Sequence, residues 1–187
     1  MEQSEIQQRA IVDFISLSGE YCQVCNKLYK LTPKQFAGFL LRILPMLYLK
    51  VQQLPDYDNY DPDMVEKFVT EEEWKKIQLH SSILFGKYDQ YYESDVRTNQ
   101  FEHKYISENL ADIYQDLKDF TQLVALGLEE SLIEAIGEVK KNFKLYWGQP
   151  LVNSLRVLHH LYFSELLSDT LLIENPTDET PKSLFDD

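Results

Sequence analysis

Between Ile106 and Val124 the apolar residues Ile106, Leu110, Ile113, Leu117, Phe120 and Val124 alternate steps of four and three for almost three heptads. Such a stripe lies along one side of a helix and has to be covered by other elements, so it commits the chain to helix packing. The spacing predicts Ser107 as the N-cap of this helix and Gly127 as its terminator. The same step recurs at Ile6, Ala10, Phe14, Leu17, Tyr21, Val24 and Leu28, a first helix ending near Lys30. Thr32-Pro33-Lys34-Gln35 can cap and open a second helix to about Gln53, apolar on most sides and so expected at the centre. Within it Pro45 lacks the N–H that would bond the carbonyl of Leu41, which predicts a kink rather than a stop.

Thr70-Glu71-Glu72-Glu73 is a capping box for a third helix reaching about Gly86. The helix through Ile106 is then the fourth, and a fifth runs from about Glu129 to Tyr146. Trp147-Gly148-Gln149-Pro150 reads as a stop and restart before a sixth helix carrying Leu151, Leu155, Leu158 and Tyr162 on one face. Leu54–Val69 is acidic and rich in turn residues, and Tyr91–Lys104 is polar and aperiodic; both are expected to be loops. Only 6 Gly and 7 Pro stand against 12 Tyr, 10 Phe and 2 Trp, a balance that suits long helices around an aromatic core better than a turn-rich β-sandwich. The expectation is an all-α, single-domain bundle of about six helices over residues 1–166. A loosely ordered or disordered acidic tail is expected at 167–187.

With 31 acidic and 18 basic side chains the chain carries −13, the wrong sign for a nonspecific binder of nucleic acid or of an anionic membrane. Its first residues hold no basic region followed by an apolar run. The most apolar stretch, Phe36–Val51, spans 16 residues and includes Arg42, Pro45 and Lys50; a bilayer needs about 20. Cys22 and Cys25 are too few for a disulfide framework, so a reducing, cytoplasmic setting with free thiols is expected.

Several patterns could carry chemistry. Cys22-Gln23-Val24-Cys25 has redox spacing but lies well inside a helix with no strand before it, so packing is the expected role. Asp56 to Asp61 is similar in part to a calcium loop, yet Tyr60, Asp61 and Lys67 stand at its fifth, sixth and twelfth positions, where an oxygen ligand, the glycine and the final glutamate belong. Glu108, Asp112, Asp116 and Asp119 form a column that could hold Mg²⁺ for phosphate chemistry. They fall mostly opposite the Leu110-Leu117-Phe120 face, so most are expected to be solvent-exposed and metal-free. The common nucleophile, phosphate-loop, dinucleotide and zinc motifs are missing from the sequence, no residue is singled out as catalytic and no cofactor is expected. On the sixth helix Gln149, Asn153, Arg156 and His160 share a polar seam flanked by Val152, Val157, Leu161 and Phe163. The seam can be an exposed stripe, a buried network or the floor of a binding pocket. Arg156 is expected in a partly buried groove, paired with Asp112, Asp116, Glu72 or Glu73, where its removal would cost about 2–4 kcal/mol.

Leu44-Pro45-Met46-Leu47-Tyr48-Leu49-Lys50, Phe68-Val69-Thr70-Glu71-Glu72, the run from Ile106 to Phe120, and Tyr146-Trp147-Gly148-Gln149 through Leu151-Val152-Asn153 resemble one bacterial family. It is an uncharacterised domain-of-unknown-function family of small, cytoplasmic, Bacteroidetes-type proteins, and the resemblance covers roughly residues 8–163. It implies a single all-helical domain and carries no activity, cofactor or catalytic residue. Three functions remain in view. The first is a non-catalytic module that binds a protein partner through an acidic or aromatic surface. The second is a metal-dependent hydrolase of phosphorylated small molecules using the fourth-helix acids. The third is a small-molecule binder at the sixth helix.

Overall fold

The structure, a computed structural model, describes residues 2–57, 60, 65–94, 98 and 100–173. Six helical segments form the bundle: α1 (Glu2–Cys25), α2 (Pro33–Gln53), α3 (Glu71–Phe85), α4 (Ile106–Ala125), α5 (Glu129–Asn142) and α6 (Gly148–Phe163). A hairpin of β1 (Gln90–Ser94) and β2 (Phe101–Tyr105) is inserted between α3 and α4. The start signals of α2 and α3 operate as the sequence predicts, whereas Ser107 does not cap α4, which opens at Ile106 with Tyr105 before it. Thr32 with Gln35, and Thr70 with Glu73, form reciprocal capping boxes, and Gly127 takes φ +74° just past α4. α2 runs unbroken through Pro45.

The centre of the bundle is α4 rather than the more apolar α2. Its heptad face packs against α1, α3, α5 and α6, with Ile106, Leu110, Ile113 and Leu117 fully buried. α2 packs chiefly on α1 and α6, which leaves Met46 and Leu49 on the surface. Phe14 meets Phe120 edge-on with centroids 5.0 Å apart, and the Tyr21 hydroxyl donates to the Leu110 carbonyl at 2.9 Å, tying α1 to α4.

Two local expectations are corrected. Tyr91–Lys104 is not an irregular loop: antiparallel pairing sets Tyr92 opposite His103 and Ser94 opposite Phe101. Nor does Trp147–Pro150 break the chain into two helices. Phe143–Trp147 form a π-turn, in which the Gly148 N–H reaches back to the Phe143 carbonyl and α5 flows into α6. Glycine is required there, because a Cβ on residue 148 would stand 2.5 Å from that carbonyl oxygen. Pro150 has no N–H to continue the ladder, and the wider turn ahead of it absorbs the loss.

Beyond α6 the described chain folds back on the start of α2. Leu167 is buried, the Lys34 N–H donates to the Ser168 carbonyl at 3.1 Å, and the Thr32 hydroxyl donates to Asp169 at 2.9 Å. The rest of the expected tail, residues 174–187, lies outside the described residues. So do Asp58, Asn59 and Asp61 of the calcium-like stretch.

Candidate functional site

Three of the four acids in the column on α4, Asp112, Asp116 and Asp119, prove to be struts. Asp112 accepts the indole N–H of Trp74 on α3 at 2.9 Å. Asp116 accepts the Asn142 amide of α5 at 2.6 Å. Asp119 is buried and accepts the backbone N–H groups of Phe68 and Val69 at 2.8 and 2.9 Å, fixing the strand of chain that leads into α3. Glu108 is exposed, as is Asp112; Asp116 is half-buried. The helical wheel therefore places Glu108 and Asp112 correctly and misplaces Asp119, because its cover comes from a loop rather than from a neighbouring helix.

Burial pushes the carboxyls of Asp116 and Asp119 upward, against the pull of the donors they accept from. For Glu138 on α5 burial also works upward, but Lys67, whose ammonium lies 3.0 Å away, together with the Tyr60 hydroxyl carries it below its ordinary value. That ammonium already supplies the cation between α4 and α5. Among the described residues no three His, Cys, Asp or Glu side chains are arranged to hold a metal ion.

Asp116 supports a pH-dependent prediction. Burial lifts it from 3.8 to about 6, so between those values the folded chain holds more proton than the unfolded one. Its contribution to stability therefore falls as pH rises through that window. Asp116→Asn keeps an acceptor for Asn142 and removes the charge. In thermal melts the variant should be more stable than the native chain by on the order of 1 kcal/mol near pH 7, with the difference gone near pH 4.

The seam on α6 divides. Asn153 is buried, and its neighbour in sequence, Ser154, belongs to a network in which the Asn109 amide donates to the Tyr91 hydroxyl at 2.7 Å and to the Ser154 hydroxyl at 3.1 Å. The Asn153 carbonyl oxygen accepts from Gln149 at 3.1 Å, while its Nδ2 finds no acceptor among the described residues. Gln149, Arg156 and His160 are exposed, and His160 Nδ1 lies 3.5 Å from the Ser164 hydroxyl. The expectation for Arg156 is overturned. Its guanidinium donates to the Tyr92 carbonyl at 3.3 Å, and no carboxylate among the described residues lies within 4 Å. The reason is the hairpin, which meets this part of α6 where an acidic helix face was expected. An exposed guanidinium with one such bond contributes under about 1 kcal/mol to the fold.

Two surfaces escape sequence reasoning. The first is the outer face of the hairpin. The register puts Gln90, Tyr92 and Ser94 on the same face as Phe101, His103 and Tyr105, while Tyr91 turns inward. Tyr92, Phe101 and Tyr105 are 61%, 72% and 38% exposed, and the Tyr92 and His103 rings lie 4.4 Å apart. The alternation is present in the sequence but inverted, aromatic outward, so it reads as aperiodic. The second is a groove of about 660 Å³ along α2, bordered by Lys30, Lys34, Arg42 and Tyr162. Cys22 and Cys25 form no site: both are buried, unlinked thiols, and burial pushes Cys22 up to about 12 and Cys25 well upward too.

Fold and surfaces together define a largely helical bundle crossed by one short hairpin, its inner carboxylates spent on holding elements together. The chain belongs to the DUF5063 family, a domain of unknown function, whose model matches residues 5–164. It is similar to protein BF1032 from Bacteroides fragilis, known from a crystal structure. The two are 34% identical over 83% of this chain and 93% of that one, with a TM-score of 0.74. No curated protein matches this chain. No described helix is long and apolar enough to cross a membrane.

Proposed function

We propose that this chain is a non-catalytic helical module of the cytoplasm that binds a protein partner through the outer face of its hairpin. The observation that carries the reading is the exposure of Tyr92, Phe101 and Tyr105 on one face of two paired strands. Aromatic rings lose little conformational freedom on binding and bury roughly 150–250 Å² each, which is why they anchor interfaces. Leaving three of them in water on one short hairpin is costly unless something covers them. Free thiols at Cys22 and Cys25 suit a reducing compartment. The hydrolase reading rests on the α4 acids, and it is weakened by the partners that Asp112, Asp116 and Asp119 already have within the fold.

A photo-crosslinking side chain in place of Phe101 tests the proposal in cells. A discrete adduct with one protein is expected there, lost in a Tyr92→Ser background and absent when the probe replaces Val12, an equally exposed apolar residue on α1. Indiscriminate labelling at both positions, or none at Phe101, would refute it. Stabilisation of the chain by Mg²⁺ or Mn²⁺ in a thermal melt would favour the hydrolase instead.

A further inference from the structure

We propose that the groove along α2 binds an acidic peptide segment of a partner protein, at a site separate from the hairpin face. Between Glu20 and Asp56 the chain has no acidic residue. The same stretch holds Lys27, Lys30, Lys34, Arg42 and Lys50, a charge of +5 inside a chain of −13. Lys50 is paired with Asp13 at 2.8 Å, and on α5 Lys140 and Lys141 are engaged by Asp56 and Glu138. Lys30, Lys34 and Arg42 border one groove and have no carboxylate within 4 Å among the described residues. Asp169, the acid on the rim, accepts the Thr32 hydroxyl.

The floor between these cations is built for contact with an apolar group. Lys34, Gly38 and Arg42 follow one another at steps of four and share a face of α2. A Cβ on residue 38 would lie 3.2 Å from the ring of Tyr162, so glycine lets that ring lie close against α2 between the two cations. Phe39 and Leu31 line the same groove.

Spacing and charge decide the class of ligand. Eight residues of helix separate Lys34 from Arg42 by about 12 Å along the axis, more than one phosphate group spans. An extended peptide covers that distance in about four residues, so carboxylates at positions i and i+4 reach both cations with apolar side chains between them. Nucleic acid and anionic bilayers are extended polyanions, and they would also meet the −18 carried by the rest of the chain. A short peptide in the groove senses chiefly the local cations, since the field of the remainder is screened over about 8–10 Å.

The test uses the full chain and fluorescence anisotropy of a labelled short peptide with two glutamates four positions apart and leucines between them. Saturable binding that weakens with salt is expected, reduced about tenfold or more in Lys34→Glu/Arg42→Glu. Lys76→Glu/Lys87→Glu changes the net charge equally at cations outside the groove and should leave binding unchanged. Arg42→Glu alone, at an exposed position, gives the same direction should the Lys34 variant unfold. Tyr92→Ser should bind the peptide normally, which separates this site from the hairpin proposal. The proposal is overturned by the lack of saturable binding, by equal loss in both double variants, or by equal binding of the lysine-for-glutamate peptide. It is likewise overturned if inorganic phosphate competes at the same concentration as the peptide, or if phosphatidylserine vesicles bind and the peptide does not.

Discussion

Replacing Trp147 with alanine should lower the unfolding free energy by about 4 kcal/mol, the largest effect of any single substitution considered for this chain. Trp147 is wholly buried, and its indole N–H donates to the Val139 carbonyl at 3.2 Å, eight residues back along the continuous α5–α6 rod. The Phe143 ring meets it at 4.7 Å and meets Tyr48 of α2 at 5.2 Å, so three rings tie the π-turn to α2. Removing the indole opens a cavity at the point where α5 changes register into α6, and the backbone there is already committed by the Gly148–Phe143 contact. For a domain of this size the loss corresponds to a fall in melting temperature of roughly 8–16 °C. Trp147→Phe keeps most of the volume and gives up the hydrogen bond, so a cost of about 1–2 kcal/mol is expected. Chemical denaturation of both variants measures the two contributions. An alanine variant within 1 kcal/mol of the native chain would mean that the π-turn is not packed as described.

The contrast between what the sequence announces and what it conceals follows the range of the interactions involved. α4 is legible because its heptad is a local pattern, and α2 and α3 because their capping boxes close within four residues. The π-turn at Phe143–Trp147 is hidden, because Gly148 and Pro150 have the residue types of a helix end and only the close approach of the Phe143 carbonyl shows why glycine is there. The hairpin is hidden because two strands of five residues with aromatics facing outward give no apolar alternation to find. The seam on α6 was legible as a row of polar residues, but not its division into a buried Asn153 and an exposed Arg156. That division depends on where Tyr91 and Tyr92 of β1 arrive. Asp119 is the same lesson on α4, since its donors lie 50 and 51 residues earlier in the chain.

Asp89 carries the second large prediction, and its role is also non-local. The sequence points to Ser107 as the cap of α4, but the helix opens at Ile106 and the cap comes from outside it. The Asp89 carboxylate accepts the Ser107 N–H at 2.8 Å and the Ser107 hydroxyl at 2.7 Å, and its backbone carbonyl accepts the Ile106 N–H at 2.9 Å. Both side chains are buried, at 4% and 0% exposure, so water cannot replace the carboxylate if it is removed. Asp89→Ala should therefore cost about 3 kcal/mol, from a buried N–H left without an acceptor and an anion lost from a helix N-terminus. Asp89→Asn retains one acceptor without the charge and should cost about 1 kcal/mol. Ser107→Ala removes the hydroxyl that the carboxylate serves, so the Asp89→Ala/Ser107→Ala double variant should be more stable than the two single costs predict when added. Hydrogen exchange should show protection lost first at the amides of Ile106 and Ser107. Because β1 starts at the next residue and β2 ends where α4 begins, the same contact orients the hairpin on the bundle. If the outer face of that hairpin is the binding surface, Asp89→Ala should abolish the crosslink from Phe101 at temperatures where circular dichroism still shows a folded chain.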